Sequence, residues 1–251
     1  MKMKKGFIRS ISDLFMPPKC AVCGDKIGNG HNRAMCDVCY EKFITELESG
    51  CPVCKNAFTY CTCRPDGFLP DDFAYALPYS PTTYGVSRKL ILCMKNRSHS
   101  AVIKEIVGKM VQTAEKRAIL SDDMVITYVP RSPEKAMRIG VDQAMDIARC
   151  FADVTGMKLT DSIVRRAFFR DQKTLNKAER ILNASDAYEI NEACRNKIKD
   201  KTVILIDDVV TTGATVNSCV KVLKDAGASR IICLSAARSV GKYGNTDEAE
   251  S

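Results

Sequence analysis

Short apolar runs alternate with amphipathic stretches along most of the chain, from about residue 67 to residue 240. The apolar runs are rich in β-branched residues and predict strands, whereas stretches with apolar positions at helical spacing predict helices. The predicted strands are Phe73–Tyr79, Met124–Val129, a short one near Ala187, Thr202–Ile206 and Arg230–Ala236. The predicted helices are Ser87–Lys95, Ala101–Leu120, Val141–Val154, Thr174–Asn183 and Ala214–Ala226. Strands that alternate with helices and are apolar throughout predict an α/β fold with a mainly parallel sheet covered by helices on both faces.

The first 66 residues lack this alternation, and only Tyr40–Leu47 has the pattern of a short helix. Turn-forming residues separate pairs of cysteines there, and the segment has too few apolar residues for a core of its own. The composition changes after Arg64-Pro65-Asp66-Gly67, and the end of the chain is polar and acidic. We therefore predict a small cysteine-rich domain at residues 1–66, an α/β domain at residues 67–240 and a disordered tail at residues 241–251.

The composition is that of a soluble globular protein, with 251 residues of which 45% are hydrophobic and 27% are charged. No apolar run reaches the roughly 18 residues that a membrane-spanning helix needs. Arg9 and Asp13 interrupt the apolar residues near the N-terminus, and no small-residue cleavage site follows, so a signal peptide is not expected. These observations predict a cytoplasmic protein without a membrane span.

Thirteen cysteines are the most informative feature of the composition, and eight of them precede residue 64. An odd total without a secretory signal argues against a disulfide framework. The eight fall in close pairs, which suit tetrahedral zinc sites because each tight turn places two sulfurs beside one metal ion. The simplest assignment gives one structural zinc ion to Cys20, Cys23, Cys36 and Cys39, and a second to Cys51, Cys54, Cys61 and Cys63.

Other interpretations of the cysteines stay open at this point. An interleaved pairing is compatible with the same spacing, His31 is a conceivable substitute ligand, and free or disulfide-linked thiols are the alternative to metal. The isolated cysteines lack a partner at metal or catalytic spacing and are interpreted as small apolar residues. They are Cys93, Cys150, Cys194, Cys219 and Cys233.

The sharpest motif begins in the predicted strand Thr202–Ile206, which leads into Asp207 and Asp208 and then into a loop of small and hydroxyl-bearing residues. Open α/β sheets bind ligands at the carboxyl ends of their strands, which is where this strand places the two acids. The loop runs directly into a predicted helix, so its backbone N–H groups and the helix dipole can hold a phosphate. Carboxylates can bind hydroxyl groups, and the adjacent loop can bind a phosphate, so together they suit a sugar phosphate.

This motif resembles the phosphoribosyl pyrophosphate (PRPP) binding motif of type I phosphoribosyltransferases. The resemblance implies that Asp207 and Asp208 contact the ribose hydroxyls and that loop amides hold the 5-phosphate. The implied phosphate loop consists of Thr211, Thr212, Gly213, Ala214 and Thr215. The resemblance also implies Mg²⁺ bound with PRPP and a reaction in which an acceptor nitrogen displaces pyrophosphate. The two acids would then act in catalysis by stabilising the positive charge that develops on the ribose.

Cysteine quartets ahead of a phosphoribosyltransferase-like domain resemble the ComF family, which is associated with DNA uptake in competent bacteria. The resemblance covers nearly the whole chain. It includes Leu90–Arg97, with Lys95, as an early helix, and Tyr128–Pro133, with Arg131, as the loop at the pyrophosphate. The family's R-G-F-N-Q signature is similar to Gly140-Val141-Asp142-Gln143. Its segment R…Q-x-x-L-x-x-x-x-R-x-x-N matches Arg165, Gln172, Leu175, Arg180 and Asn183.

One position departs from the family pattern. Ile139 stands where the signature has arginine, so a role for that arginine would fall to Arg138 or Lys135. A helix-capping loop is the alternative interpretation of this stretch. For the basic residues within Arg165–Arg170 the alternative is a solvated loop, although a place opposite the diphosphate favours ligand binding.

Two functions are consistent with these observations. The first is a PRPP-dependent phosphoribosyltransferase whose acceptor the sequence does not identify. The second is a competence adaptor that uses the fold to bind single-stranded DNA, with PRPP as a regulator or without a role. The aromatic candidates for base stacking in the cysteine-rich segment are Phe43, Phe58 and Tyr60. The fold is also compatible with a homodimer.

The distribution of charge separates the two segments of the chain. The formal charge is +8, and two zinc ions with eight thiolates would lower it to +4. Residues 1–66 carry ten basic and seven acidic side chains and would be close to neutral with zinc bound, whereas residues 67–240 carry 27 basic and 20 acidic ones. The basic excess thus lies in the predicted PRPP domain, which fits a diphosphate site better than a DNA-binding zinc ribbon.

Overall fold

The computed structural model describes residues 18–27, 34–80, 85–96, 100–131, 142–166 and 187–239. In these ranges the α-helices are α1 (Asp37–Glu48), α2 (Val86–Asn96), α3 (Ser100–Lys116), α4 (Gln143–Thr155), α5 (Arg195–Ile198) and α6 (Ala214–Asp225). The strands are β1 (Asp72–Tyr79), β2 (Met124–Tyr128), β3 (Lys158–Leu159), β4 (Ile163–Arg165), β5 (Tyr188–Ile190), β6 (Thr202–Val210) and β7 (Arg230–Ser239). Short 3₁₀ turns occupy Phe58–Tyr60 and Glu192–Cys194.

Five of these strands form one sheet in the order β1-β7-β6-β2-β3, and every neighbouring pair in it is parallel. The α/β fold with a mainly parallel sheet that the sequence predicts is thus confirmed. β6 lies in the middle of the sheet, between β7 and β2. β4 and β5 form a separate antiparallel pair in which Arg165 lies opposite Tyr188.

Alternate residues of the central strand face two different apolar layers, as the pleat of a strand requires. Ile204 and Ile206 of β6 belong to the layer formed with α2, α3 and α4. Val203 and Leu205 belong to the opposite layer, formed with α6 and the β4–β5 pair. Because both faces are covered, the first half of β6, Val203–Ile206, is an uninterrupted apolar run in the sequence.

Several elements end at different residues from those that the sequence predicts, and the ends of β6 and α3 differ most. β6 continues past Ile206 because its backbone stays paired with β7 as far as Val210. The two acids therefore lie within the strand, near its carboxyl end. α3 ends at Lys116, before its predicted end, because Ala118 adopts a left-handed conformation (φ 50°) and the N–H of Ile119 turns back onto the helix.

The cysteine-rich segment packs directly against the α/β sheet. Phe43 and Leu47 of α1 lie in the same apolar layer as Leu90 of α2. On the other face of the sheet, the ring of Phe58 packs edge-on against that of Tyr75 in β1, with 6.4 Å between their centroids. Apolar packing therefore continues across the domain boundary that we propose at residue 67.

Two expectations from the sequence fall on parts of the chain without a structural description. The helix predicted at Thr174–Asn183 and the tail predicted at residues 241–251 lie outside the described residues. Within the described ranges, no helix combines the length and the apolar character that crossing a bilayer requires.

Candidate functional site

Asp207 and Asp208 occupy the carboxyl-terminal part of β6, the central strand of the sheet. Asp207 is buried, and its Oδ1 accepts the backbone N–H of Asp208 at 2.8 Å. Asp208 Oδ1 accepts the backbone N–H of Val209 at 2.7 Å. The backbone thus fixes both carboxylates at the edge where parallel sheets bind ligands.

The burial of Asp207 changes its protonation. Removal from water and the neighbouring charge of Asp208 raise the pKa of Asp207 to about 8, so the inner acid is largely neutral at neutral pH. A neutral carboxyl group can donate a hydrogen bond, whereas a carboxylate can only accept. The pair therefore offers a donor and several acceptors to the hydroxyl groups of a ligand.

Two cations lie beside the outer acid. Lys95, in the last turn of α2, places its Nζ 3.7 Å from Asp208 Oδ2, and Arg131, after β2, places its Nη2 3.8 Å from the same oxygen. Ion pairs of this length on partly exposed side chains contribute little free energy. Either cation can therefore turn from Asp208 to a phosphate oxygen of a ligand at low cost.

Asp142 and Gln143, from the stretch similar to R-G-F-N-Q, hold these two cations in place. Asp142 is the N-cap of α4, with Oδ1 accepting the N–H of Met145 at 3.3 Å, and its Oδ2 accepts the backbone N–H of Arg131 at 3.0 Å. Gln143 is buried, and its Nε2 donates to the carbonyl of Lys95 at 3.2 Å. Asp142 therefore caps a helix, as the helix-capping interpretation of this stretch states. Asp142 and Gln143 also connect α4 to the backbone of Arg131 and Lys95.

The loop after the acid pair has two features that would suit a bound phosphate. Gly213 adopts a left-handed conformation (φ 77°) that residues with a side chain rarely adopt, and it directly precedes α6. The first N–H groups of a helix have no partner within the helix and lie at the positive end of its dipole. The remaining residues of the loop are exposed to solvent, and they are Thr211, Thr212, Ala214 and Thr215.

A cavity of about 370 Å³ opens at this edge of the sheet. The candidate site residues that line it are Asp207, Asp208, Thr215, Arg131 and Arg165. The other loop residues, Thr211 to Ala214, are not part of its lining. They precede Thr215, which is. The structure thus brings residues from three separate strand ends to one small polar cavity.

Tyr188 is a cavity residue that the sequence motifs do not indicate. The guanidinium of Arg165 lies 5.4 Å from the centroid of the Tyr188 ring, across the β4–β5 ladder. Burial raises the pKa of Tyr188 to about 12, so its phenol stays neutral. Arg165 Nε is buried without a hydrogen-bond partner among the described residues, which leaves it available to a ligand. The only signal in the sequence is the short strand predicted near Ala187.

Several residues of the pattern shared with the ComF family fall outside the described ranges, and so does the substitute zinc ligand considered above. They are His31, Arg97, Ser132, Pro133, Lys135, Arg138, Ile139, Gly140, Val141, Arg170, Gln172, Leu175, Arg180 and Asn183.

The eight paired cysteines form two clusters, and within each cluster the four Sγ atoms lie within 4.8 Å of one another. The first cluster contains Cys20, Cys23, Cys36 and Cys39, and the second contains Cys51, Cys54, Cys61 and Cys63. The structure therefore groups the cysteines in chain order and not in an interleaved pattern.

The sulfur geometry of both clusters suits a tetrahedral metal ion. The Sγ–Sγ distance is 3.6 Å between Cys54 and Cys61, 3.8 Å between Cys23 and Cys36 and 4.0 Å between Cys51 and Cys63. Four sulfurs at about 2.3 Å from one zinc ion would lie about 3.8 Å apart, whereas a disulfide bond is only about 2.05 Å long. Four thiolate donors favour zinc over the hard cations that prefer oxygen.

A larger cavity, of about 840 Å³, lies at the opposite end of the sheet, beside the start of β2. Its lining includes Lys201 and Asp123, which pair with each other at 2.5 Å between Nζ and Oδ1. No motif from the sequence falls there, and the amino ends of parallel strands are not where such sheets bind ligands. We therefore assign the chemistry to the smaller cavity.

Known proteins resemble this chain in two ways. The family described as phosphoribosyl transferase domain matches residues 137–249, which include the acid pair and the loop after it. The bifunctional protein PyrR of Haemophilus influenzae is 30% identical over 129 residues, covering 51% of this chain and 65% of PyrR. The chain thus spans less than two thirds of the length of that relative. The purine phosphoribosyltransferase of Pyrococcus horikoshii is 16% identical, with a TM-score of 0.32, over 59% of this chain and 93% of that structure.

The second resemblance extends over most of the chain. The competence protein ComFC of Streptococcus pneumoniae is 20% identical over 232 residues, which cover 88% of this chain and 100% of ComFC. The chain therefore carries a phosphoribosyl transferase domain and is a homologue of ComFC over most of its length, with two four-cysteine clusters ahead of that domain.

Proposed function

We propose that this protein binds PRPP at the carboxyl end of β6 and transfers its phosphoribosyl group to a nitrogen acceptor. One observation carries the proposal. Two adjacent acids on a central strand are followed, after four further residues, by a left-handed glycine and the N-terminus of α6. Carboxyl groups can bind the hydroxyls of a sugar phosphate, and the N–H groups at the start of a helix can bind its phosphate. Here the two kinds of group lie only a few residues apart in the chain.

Each group at the cavity has a part of PRPP that suits its chemistry. Asp207 and Asp208 suit the ribose hydroxyls, because one is neutral and buried and the other is accessible to the cavity. The loop from Thr211 to Thr215 suits the 5-phosphate. Arg131 and Arg165 line the same cavity and suit the pyrophosphate, which is the leaving group.

The donor set also suits Mg²⁺, which prefers oxygen ligands and keeps several waters. Asp208 would hold the ion together with oxygens of PRPP, and Mg²⁺ supplies charge neutralisation of the pyrophosphate when it is bound. The neighbouring Lys95 and Arg131 add positive charge on the same side of the acid pair.

In the proposed reaction a lone pair on the acceptor nitrogen forms a bond to the anomeric carbon of the ribose. The bond from that carbon to the pyrophosphate oxygen breaks, pyrophosphate leaves with the electron pair, and the nitrogen loses a proton to solvent. The carboxylate of Asp208 stabilises the positive charge that develops on the ribose, and Arg131 and Arg165 stabilise the leaving group.

Calorimetric titration with PRPP and Mg²⁺ tests this site. We expect the double variant Asp207→Asn/Asp208→Asn to bind about 100-fold more weakly, as the loss of one charge-assisted hydrogen bond to Asp208 of about 2 kcal/mol and one neutral hydrogen bond to Asp207 of about 1 kcal/mol would produce. Asp225→Asn, an exposed aspartate at the far end of α6, is the matched control and should bind as the wild type does. PRPP binding that survives the double substitution would overturn the assignment.

Pyrophosphate release tests the transfer step separately from binding. A panel of nitrogen bases is added to wild type and to the double variant, each with PRPP and Mg²⁺. Release that depends on one base and on the acid pair supports transfer. Binding without release from any base would restrict the proposal to a PRPP-binding role.

We also propose that each cysteine cluster holds one structural zinc ion. The support is the four-sulfur donor set, with Sγ–Sγ distances close to those around a tetrahedral ion. The cysteine-rich segment has little apolar core of its own, so metal coordination would contribute directly to its folding.

The likeness to ComFC over 88% of the chain favours a second proposed function, a part in DNA uptake through binding of single-stranded DNA. Stacking by the cysteine-rich segment would depend on Tyr60, which is 52% exposed, because Phe43 and Phe58 are buried and their prediction as stacking residues is wrong. Anisotropy of labelled single strands, measured over a range of salt concentrations, tests this function. Affinity that does not fall with salt would contradict binding through phosphates.

A further inference from the structure

The segment that follows the second cysteine cluster lies against the start of α6. Asn217, in the first turns of α6, accepts the backbone N–H of Leu69 through Oδ1 at 2.8 Å. Its Nδ2 donates to the carbonyl of Gly67 at 2.9 Å. One side chain thus satisfies two backbone groups of a segment about 150 residues away in the sequence.

Phe68, between these two backbone groups, packs on the phosphate loop itself. A Cβ atom on Gly213 would lie 2.6 Å from Phe68 Cε2 and 3.6 Å from Pro65 Cγ. Phe68 and Pro65 are both buried, so the loop is seated on them without space for a side chain at position 213. Packing against this segment therefore supports the left-handed turn at Gly213.

The second cysteine cluster anchors the same segment. Phe68 shares an apolar cluster with Cys51 and Cys61, and its ring centroid lies 4.9 Å from that of Phe73 in β1. The chain runs from Cys63 to Pro65 with only one residue between them. The segment is thus fixed by the cysteine cluster at one end and by the edge strand of the sheet at the other.

We propose that Asn217 and Phe68 are positioning residues that transmit the order of the second cysteine cluster to the phosphate loop. Neither residue lines the cavity, so they act on the ligand through the backbone of the loop. The inference rests on the proposed function, since it assigns the loop to the 5-phosphate. It adds that the cysteine-rich segment determines affinity for the phosphate end of the ligand and leaves the pyrophosphate end unaffected.

The variant Asn217→Ala separates the two ends of the ligand. Affinities are measured by calorimetry for PRPP, for ribose 5-phosphate and for pyrophosphate with Mg²⁺. We expect about tenfold weaker binding of PRPP and ribose 5-phosphate, as the loss of two backbone hydrogen bonds would produce, and unchanged binding of pyrophosphate. Asn196→Ala, an exposed asparagine at the opposite end of the sheet, is the control and should change none of the three.

Phe68→Leu provides a second, milder variant, which keeps an apolar side chain but removes the ring beneath Gly213. It should weaken ribose 5-phosphate more than pyrophosphate, with both zinc ions retained by metal analysis. Equal weakening of all three ligands in Asn217→Ala and Phe68→Leu would indicate general destabilisation and overturn the inference. Unchanged affinities in both variants, with PRPP bound by the wild type, would overturn the inference but not the proposed function. A wild-type protein that binds neither PRPP nor ribose 5-phosphate would overturn both.

Discussion

Glu46, near the end of α1, accepts hydrogen bonds through Oε2 from the backbone N–H groups of Val86 (2.7 Å) and Ser87 (3.2 Å). These N–H groups belong to the first turn of α2, where they have no partner within the helix. A carboxylate there also complements the positive end of the helix dipole. The cysteine-rich segment thus caps a helix of the α/β sheet, and the opposite end of that helix places Lys95 beside Asp208.

Glu46→Ala should lower the free energy of unfolding by about 1 kcal/mol, the usual cost of losing a helix cap. Urea denaturation measures this change, and the exposed Glu48 of the same helix provides the control variant Glu48→Ala. Gly85→Ala should have a similar effect, because its Cβ would lie 2.6 Å from Glu46 Oε1 and displace the carboxylate. In a Glu46→Ala background the change at Gly85 should then cost little. Additive effects of the two changes would contradict this contact.

The raised pKa of Asp207 predicts a pH dependence of stability. The folded protein holds a proton on Asp207 up to about pH 8, whereas the unfolded chain releases it near the ordinary value of 3.8. The stabilisation is therefore complete below the unfolded pKa and is lost as the pH rises through the folded one. The Asp207→Asn variant lacks this dependence.

The difference in the free energy of unfolding between Asp207→Asn and wild type should therefore grow in favour of the variant from about pH 5.5 to about pH 8. A gain of about 1 kcal/mol would raise the thermal midpoint by about 2–4 °C in a protein of this size. Measurements in zinc-containing buffer keep the cysteine clusters equally loaded in both proteins. A difference that does not vary with pH would contradict the protonated state of Asp207.

Asp142 uses both carboxylate oxygens, one for Met145 and one for Arg131. Asn, which the R-G-F-N-Q signature has at this position, offers only one acceptor, and its amide would face an N–H donor. We expect Asp142→Asn to lower the free energy of unfolding by about 1 kcal/mol and Asp142→Ala to lower it by about 2 kcal/mol. Thermal or urea unfolding measures both. Asp153→Asn, an exposed aspartate on the same helix, should be neutral.

The proposed metal content can be counted directly. Wild type should carry two zinc ions per chain, and Cys23→Ser and Cys54→Ser should each retain one, because each substitution removes a ligand from a different cluster. Cys93→Ser should retain both. If neither cluster variant lost zinc, the assignment of the clusters would be wrong. Of the two, Cys54→Ser should weaken ribose 5-phosphate more, because its cluster adjoins Phe68.

The sheet and the acid pair could be predicted from the sequence because each is a local feature. β6 begins with an apolar run that ends at Ile206, and Asp207 and Asp208 follow that run directly within the same strand. β3 and β4 were not predicted because strands of two and three residues contain no measurable period.

The contacts that hold the site could not be predicted from the sequence. The side chain of Asn217 forms a hydrogen bond with Leu69, 148 residues away in the sequence, and that of Gln143 forms one with Lys95, 48 residues away. Each joins a polar side chain to a backbone group, and a polar residue on a helix is compatible in sequence with simple exposure to water. Only the tertiary fold distinguishes these residues from their solvated neighbours.

The shared apolar layer of α1 and the sheet has a consequence during synthesis. Phe43 and Leu47 emerge from the ribosome before α2 and α3, which pack in the same apolar layer. Until those elements exist, coordination of the proposed zinc ions would be the main force that keeps the N-terminal segment ordered. A cell short of zinc would therefore expose these side chains to chaperones and to aggregation while translation continues, so that zinc supply would govern the yield of the protein.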